Sequence, residues 1–164
     1  MSKEQTTDLL KFLKTFDKEV IDLVIWLRDF VWDFCPKANE LIYDNYNALS
    51  LGWSVTDKVG HNICSVVIYR ANQNVHFGFY WGNELSDPDK ILLGKGVQYR
   101  YILVNDKNKF PKAYIENLIN ESNTNSISKA KNQKQIMQGE TILKSISAKK
   151  RDLTKTRKKP IKKQ

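Results

Sequence analysis

Apolar residues recur along the first 34 positions with the spacing of an amphipathic helix. At about 100° per residue, one broad face collects Leu9, Phe12, Leu13, Phe16, Val20, Leu23, Val24, Leu27, Phe30, Val31 and Phe34. The opposite face carries Lys11, Lys14, Lys18, Asp22, Asp29 and Asp33. The pattern predicts a helix packed on a core and interrupted near residues 15–17, where Thr15 or Asp17 is placed to cap a second segment. Pro36 should end it, because proline disfavours helical geometry in the preceding residue.

Beyond Pro36 the pattern changes to the period of a strand. The stretch KANELIYDNY is interpreted as a short helical or turning piece, and the strands are predicted at residues 46–56, 61–70, 75–82 and 97–104. The third alternates most clearly, with Val75, Phe77 and Phe79 on one side and His76 and Gly78 on the other. The turns between the strands are short, which favours antiparallel pairing of neighbours.

A closing helix is expected from Pro111 to about Glu121, since proline is well tolerated in a first helical turn. The predicted fold class is therefore α+β. It has an N-terminal amphipathic helix or helix pair, an antiparallel sheet of about four to five strands and a closing helix, with the helices covering one face of the sheet.

Charge divides the chain into two parts. Residues 1–122 contain 14 Lys+Arg and 16 Asp+Glu, a net charge of −2, whereas residues 123–164 contain 13 Lys+Arg and two acids, a net charge of +11. The second part therefore accounts for the positive net charge of +9. That part has no aromatic residue, and only Ile136, Met137, Leu143 and Ile146 show a weak helical spacing. We expect an α+β domain at residues 1–122 and a basic, low-complexity tail at residues 123–164, disordered or partly helical.

The basic tail has two interpretations. Clustered cations attract polyanions by counterion release, so the tail could bind nucleic acid without sequence preference, having no aromatic ring to stack on bases. The alternative is a solubilising extension. The residues that would contact a polyanion are Lys149, Lys150, Arg151, Arg157, Lys158 and Lys159.

The remaining bulk features indicate a small cytoplasmic protein. No apolar run approaches the roughly 20 residues that cross a bilayer, and the first residues, MSKEQTTDLLKFLK, do not have the composition of a signal peptide. Cys35 and Cys64 are too few and too far apart for a disulfide framework, so each is interpreted as a free buried thiol.

The most motif-like stretch is LSDPDKILLGKGVQYRYI at residues 85–102. A phosphate-binding loop needs Ser or Thr after its lysine and a helix beyond, but Lys95 is followed by Gly96 and by a predicted strand. Gly94 and Gly96 are instead expected to provide the backbone freedom of a turn into that strand.

An acidic stripe on the first helix is a candidate metal site. Asp22, Asp29 and Asp33 lie within about 40° of one another at i, i+7 and i+11, and carboxylates can hold a hard cation or Fe²⁺. The alternative is a solvated face on which Lys18 pairs with these acids.

A small-ligand site is the other candidate. Tyr43, Tyr46, Trp53 and Arg100 combine aromatic faces with a cation that could hold a small anion. The alternative is that the aromatic residues are core and that Arg100 pairs with Asp87 or Asp89. No arrangement of nucleophile and base stands out, so no catalytic residue is predicted and a binding role is favoured over an enzyme.

Ordered sequence elements over residues 9–121 resemble the YdhG-like family of domains of unknown function. They are the ELIY element, a strand ending in Gly-Phe, an Asp-Pro turn, and Leu-x-Gly-x-Gly leading into Arg-x-Ile. Their residues are Glu40, Ile42, Tyr43, Gly78, Phe79, Asp87, Pro88, Leu92 or Leu93, Gly94, Gly96, Arg100 and Ile102. The resemblance implies a frataxin-related α+β fold and, from one relative regarded as an iron chaperone, iron binding. Many members have a Gly-x-Pro turn where this chain has Asp44-Asn45-Tyr46.

Overall fold

The computed structural model describes residues 9–131 and 138–152, which form one mixed sheet with helices on one of its faces. The helices are α1 (Lys18–Phe34) and α2 (Lys112–Ala130), and residues 9–13 form a further helical segment before α1. The strands are β1 (Asn39–Asp44), β2 (Ala48–Ser54), β3 (Asn62–Tyr69), β4 (Val75–Phe79), β5 (Arg100–Val104) and β6 (Thr141–Ile146).

The six strands lie in the order β5-β4-β3-β2-β1-β6. Strands β1 to β5 pair antiparallel with their neighbours in sequence, as the short turns predict. Strand β6 is the exception, because it pairs parallel to β1 with a bulge between Ile42 and Tyr43. The α+β class is confirmed, while the sheet is mixed and has one strand more than predicted.

The register of the strands separates two faces. The helix-side face carries Leu51 of β2, Val66 of β3 and Phe77 of β4, which are cross-strand partners and fully buried. Helix α1 packs there through Phe30, which meets Phe77 edge-on at 6.2 Å. Helix α2 joins the same core through residues one turn apart, such as Ile115 and Ile119. The core therefore lies between the sheet and the two helices, and the other sheet face lacks a helix in the described ranges.

The predicted break in the N-terminal helix is confirmed. Helical geometry stops after residue 13 and resumes at Lys18 with Asp17 in the N-cap position. The Asp17 side chain makes no capping hydrogen bond, but its backbone N–H donates to Oε1 of Gln73 at 2.8 Å. The break thus joins the start of α1 to the turn between β3 and β4.

The structure corrects the helical or turning interpretation of residues 37–46. Residues 39–44 form strand β1 although Asn, Glu and Asp disfavour strands. Glu40 and Asp44 are buried there because arginines reach them: Arg28 pairs with Glu40 and Arg70 pairs with Asp44. Ion pairing with residues distant in sequence therefore overrides the local preference.

The structure also differs from the expected tail. Helix α2 continues to Ala130, nine residues beyond the predicted end, because Ser122 and Ser126 donate hydrogen bonds to the carbonyls of Ile63 and Asn62. Residues 141–146 form strand β6 rather than a disordered or helical segment. Ile136 and Met137, two of the residues in the weak helical spacing, lie outside the described residues.

None of the described helices is both long enough and apolar enough to span a bilayer. The placement of the chain in the cytoplasm stays a prediction.

Candidate functional site

A groove lies between α1 and the first turns of α2. Its volume is about 260 Å³, and it is lined by Trp26, Asp29, Phe30, Asp33, Phe34, Lys112 and Glu116. The five residues from α1 follow the i, i+3, i+4, i+7, i+8 spacing of a single helical stripe, and the two from α2 are one turn apart. The stripe on α1 and the first turns of α2 therefore bring three carboxylates and three aromatic rings together.

The aromatic wall of the groove is held by its own contacts. Trp26 stacks on Phe30 with ring centroids 6.2 Å apart and an interplanar angle of 10°, and it meets Phe110 edge-on at 5.6 Å. Phe30 in turn packs edge-on against Phe110 at 5.2 Å. These rings belong to or border the main core, so the wall of the groove is continuous with the packing of the domain.

One cation of the chain already lies at this wall. Nζ of Lys112 is 5.9 Å from the centroid of the Phe30 ring, within the range of a cation–π contact. With Asp29, Asp33 and Glu116 opposite one lysine, the formal charge of the lining residues is negative. The groove therefore favours a positive ligand over an anion or a neutral molecule.

The structure divides the predicted metal triad. Asp29 and Asp33 are exposed and line the groove, whereas Asp22 lies further towards the N-terminus of α1 and is not among the lining residues in the described part of the chain. Glu116 of α2, which the sequence did not single out, takes its place. Within residues 9–131 and 138–152, no group of three His, Cys, Asp or Glu side chains is arranged to hold a metal ion.

The predicted ligand residues Tyr43, Tyr46, Trp53 and Arg100 are not brought together. Trp53 is fully buried on the helix-side face, edge-on to Trp32 at 6.3 Å, so it is a core residue. Tyr43 lies on the opposite face, since its neighbours on β1 alternate sides. Tyr46 lies in the turn between β1 and β2 and is half exposed.

Arg100 begins β5, four strands away from β1 in the sheet order, which is about 19 Å at the usual strand spacing. Its Nη1 donates to the carbonyls of Gly96 and Tyr99 at 2.7 and 2.8 Å. The guanidinium therefore binds carbonyls of its own loop. The alternative, a pairing of Arg100 with Asp87 or Asp89, is not found among the ion pairs of the described residues, and Asp87 accepts a hydrogen bond from Tyr114 of α2 at 2.6 Å.

The glycines of the motif-like stretch differ from each other. Gly94 has φ +126°, which an L-residue side chain rarely allows, and it approaches the carbonyl oxygen of Tyr99. Gly96 does not adopt a positive φ and lies in open space. Only Gly94 has the conformational role that the sequence predicted for both.

Sequence reasoning missed a row of aromatic side chains on the sheet face opposite the helices. His76 of β4 stacks on Tyr101 of β5 with centroids 3.9 Å apart and an angle of 9°, and Tyr69 and Tyr99 extend the row on either side. The alternation in residues 75–80 and 99–103 could have predicted this row, because the aromatic side chains occupy every second position, between the buried residues. The rings cover one another's faces, so the row offers few open faces on which a base could stack.

Nδ1 of His76 in this row is buried without a hydrogen-bond partner among the described residues. The hydroxyl of Tyr99 is buried as well, with the side chain of Ser65 as a polar neighbour. Burial lowers the pKa of His76 to about 4 and raises that of Tyr99 well above its usual range, so both rings are neutral at pH 7. The row is therefore uncharged and has a packing role. Its Tyr99 ring lies directly over Gly78, which has no side chain to displace it.

Both cysteines are free, as predicted, although only Cys64 is fully buried. Burial raises the pKa of Cys35 to about 11 and that of Cys64 well above its usual range. At neutral pH both remain thiols, which are poor nucleophiles and poor metal ligands.

The described part of the basic tail is attached to the domain. Nζ of Lys150 lies 3.0 Å from Oδ2 of Asp44, the same carboxylate that pairs with Arg70, and the N–H of Arg151 donates to the carbonyl of Tyr46 at 2.9 Å. Lys149 is exposed. Arg157, Lys158 and Lys159 lie outside the described residues, so polyanion binding by the tail stays a prediction.

No family model, curated protein or solved structure matches this chain. The resemblance to the YdhG-like family therefore stays a prediction, and function has to be inferred from the geometry of the chain itself.

Proposed function

We propose that this protein is a non-catalytic binding domain that holds a cation in the groove between α1 and α2. The observation that supports this most directly is the groove itself, a concave site of about 260 Å³ with three carboxylates beside an aromatic wall. A pocket with apolar walls and a few convergent charged groups is the usual form of a small-molecule site.

The groove recognises a cation by two kinds of contact. Exposed carboxylates contribute about 0.2–1 kcal/mol per ion pair, and a cation against an aromatic ring adds about 0.5–2 kcal/mol. Two such pairs and one ring contact together give about 1–4 kcal/mol, which corresponds to a Kd of about 1 mM or weaker. Lys112 already occupies the Phe30 end of the wall, so the ligand fits best at Trp26, Asp29 and Asp33.

Two sources of cation fit this chemistry. The family resemblance implies Fe²⁺, which would use Asp29 and Asp33 of the predicted triad. An organic ammonium ion is favoured, because it needs aromatic contact and charge but no closed set of ligands, and the described residues include no three-ligand metal group. Both kinds of cation require the carboxylates of Asp29 and Asp33 on α1.

The test uses a matched pair of ligands and a matched pair of variants. Phenethylammonium and its neutral analogue 2-phenylethanol have similar size and the same ring, and Fe²⁺ is titrated separately without oxygen. We expect phenethylammonium to bind at least ten times more tightly than 2-phenylethanol, as measured by NMR shift titration. The double variant Asp29→Asn/Asp33→Asn should lose that preference, whereas Asp22→Asn should retain it because Asp22 is outside the groove.

Lys112→Gln provides a second check, because removing the cation of the chain itself should strengthen binding of an added one. Equal binding of the two phenyl ligands would refute the proposal, and so would an unchanged affinity in the Asp29→Asn/Asp33→Asn variant. Tight Fe²⁺ binding that depends on Asp29 and Asp33, with no phenethylammonium binding, would assign the site to iron. Fe²⁺ binding that depends only on Asp22 would place the function elsewhere on α1.

A further inference from the structure

Strand β6 is one edge of the sheet, and part of its backbone faces away from β1. The N–H of Glu40 donates to the carbonyl of Glu140 at 2.8 Å, and Glu40 and Ile42 are the Cα partners of Thr141 and Leu143. In a parallel ladder, the backbone groups of a strand point alternately towards and away from the neighbour. The N–H and C=O groups of Thr141 and Leu143 therefore point outward, where no further strand pairs with them in the described part of the chain.

The edge is held as a rigid template. At its start, Thr141 donates its hydroxyl hydrogen to Oε1 of Glu40 at 2.9 Å, and the N–H groups of Gln138 and Glu140 donate to Oδ1 of Asn39. At its end, Lys150 pairs with Asp44. A partner that adds to β6 would not have to order this strand first, so the ordering cost of binding falls on the partner alone.

The exposed side chains of the edge are a mixture of apolar and basic groups. Leu143 and Ile146 are 45% and 58% exposed, unusually high for aliphatic residues in a strand. Lys144 and Lys149 are exposed beside them, as is Arg151. An edge lysine discourages pairing with a neutral or basic strand, because its charge would be desolvated or repelled, but it favours a strand that carries carboxylates.

The other edge of the sheet is less accessible. Beyond β5, Leu93 exchanges both backbone hydrogen bonds with Tyr101, at 2.7 and 3.0 Å. That pairing occupies the outward backbone groups of Tyr101 in the middle of β5 and leaves Leu103, which is 40% exposed, as the open apolar position of that strand. No described segment pairs with the outer side of β6, which has two exposed aliphatic side chains.

We propose that the β6 edge is a docking site for an extended acidic peptide, which adds to the sheet as a further strand. Main-chain hydrogen bonds to Thr141 and Leu143 provide the register, Leu143 and Ile146 accept the apolar side chains, and Lys144 with Lys149 pairs with the acidic ones. This surface lies across the sheet from the β5 edge and is separate from the groove between the helices.

Synthetic peptides test the proposal with the full chain. The parent peptide, EVEVTVEVE, carries acidic and β-branched residues in alternation. A version N-methylated at every second residue, on the edge that would face β6, retains the charge but cannot complete the ladder, and KVKVTVKVK reverses the charge. We expect the parent to shift the backbone NMR signals of β6, the N-methylated peptide to bind at least ten times more weakly, and the basic peptide not to bind.

Variants at one position separate backbone from side chain. Leu143→Thr and Leu143→Pro both remove the leucine side chain, but only the proline removes the outward N–H, a replacement that edge strands tolerate. We expect at least a further fivefold loss for Leu143→Pro relative to Leu143→Thr, with unchanged thermal unfolding as evidence that β6 is intact. If Leu143→Pro lowers the unfolding temperature, the N-methylated peptide alone decides the outcome.

Equal binding of the parent and N-methylated peptides would overturn the proposal, because attraction to the basic tail alone would then explain it. A single-stranded oligonucleotide that shifts the β6 signals while the acidic peptide does not would also overturn it. That result would assign the basic segment to nucleic acid.

Discussion

The ion pair between Arg28 and Glu40 is a buried interaction whose loss from one side should strongly destabilise the fold. Nε and Nη2 of Arg28 each donate to one carboxylate oxygen of Glu40 at 2.7 Å, and the two side chains are 3% and 0% exposed. Replacing Glu40 by Gln retains the shape of the side chain but leaves the buried guanidinium without a counter-charge. The perturbation therefore isolates the charge.

Breaking a buried pair from one side costs about 3–5 kcal/mol, because the remaining charge is desolvated and uncompensated. At about 2–4 °C per kcal/mol for a chain of this size, the unfolding temperature should fall by about 6–20 °C. The loss should be recovered largely in the double variant Arg28→Met/Glu40→Leu, in which no buried charge remains. That variant still leaves the Thr141 hydroxyl without its acceptor, a residual cost of about 1–3 kcal/mol at most.

The assay is urea unfolding followed by tryptophan fluorescence, with calorimetry for the unfolding temperature. The matched control is Glu84→Gln, which breaks the Lys129–Glu84 pair, whose side chains are 28% and 37% exposed. An exposed pair should cost about 0–1 kcal/mol. A loss below about 1 kcal/mol for Glu40→Gln would refute the reasoning, and so would a double variant no more stable than the single one.

Three further predictions concern the packing of the sheet. Gly78→Ala should cost about 1–3 kcal/mol of unfolding free energy, because the new Cβ would overlap the Tyr99 ring, whereas Gly96→Ala in open space should stay within about 0.5 kcal/mol in the same urea assay. Ser126→Ala should cost about 1–3 kcal/mol of unfolding free energy, because it removes the donor to the buried carbonyl of Asn62. Ser128 is exposed in the same helix, so Ser128→Ala should be nearly neutral. Equal losses of unfolding free energy in the two variants would contradict the role of the Ser126 hydrogen bond. Because burial lowers the folded-state pKa of His76 to about 4 from 6.5, the unfolded chain binds the proton first as the pH falls, so stability should decline between pH 6.5 and 4. When the unfolding free energy is measured across pH 5–7, where carboxylates contribute little, its decline should be shallower in His76→Gln than in the unmodified chain. Equal slopes in the two proteins would contradict this role of His76.

Much of the fold follows from local pattern. The period of 3.6 in residues 9–34 and the alternation in residues 61–70 and 75–79 predicted α1, β3 and β4 with their buried faces, and Asp17 at the helix break was also anticipated. These elements are amphipathic over their whole length, so the sequence alone shows which side is buried.

The missed elements are those whose burial depends on distant partners. Strand β1 contains Glu40 and Asp44, two residue types that sequence alone assigns to turns or to the surface. They are buried because they form ion pairs with Arg28 and Arg70. Strand β6 is too exposed to be recognised without β1, with which it pairs in parallel, because it has no fully buried face. Neither pairing leaves a trace in the local periodicity, because it joins residues 12 to 101 positions apart.

The candidate site shows the same division. The stripe on α1 placed Asp29 and Asp33 on one helical face, and that much was evident from their spacing. Lys112 and Glu116 of α2 also line the groove, whereas Asp22 does not. Only the packing of α2 beside α1 determines which of these residues share the groove. By itself, the sequence determined the α+β class, the buried faces of the amphipathic elements and the division of charge between domain and tail. The tertiary structure decided which polar residues are buried, where the basic segment attaches and which carboxylates share a groove, because each of these depends on contacts between parts of the chain that local periodicity does not connect.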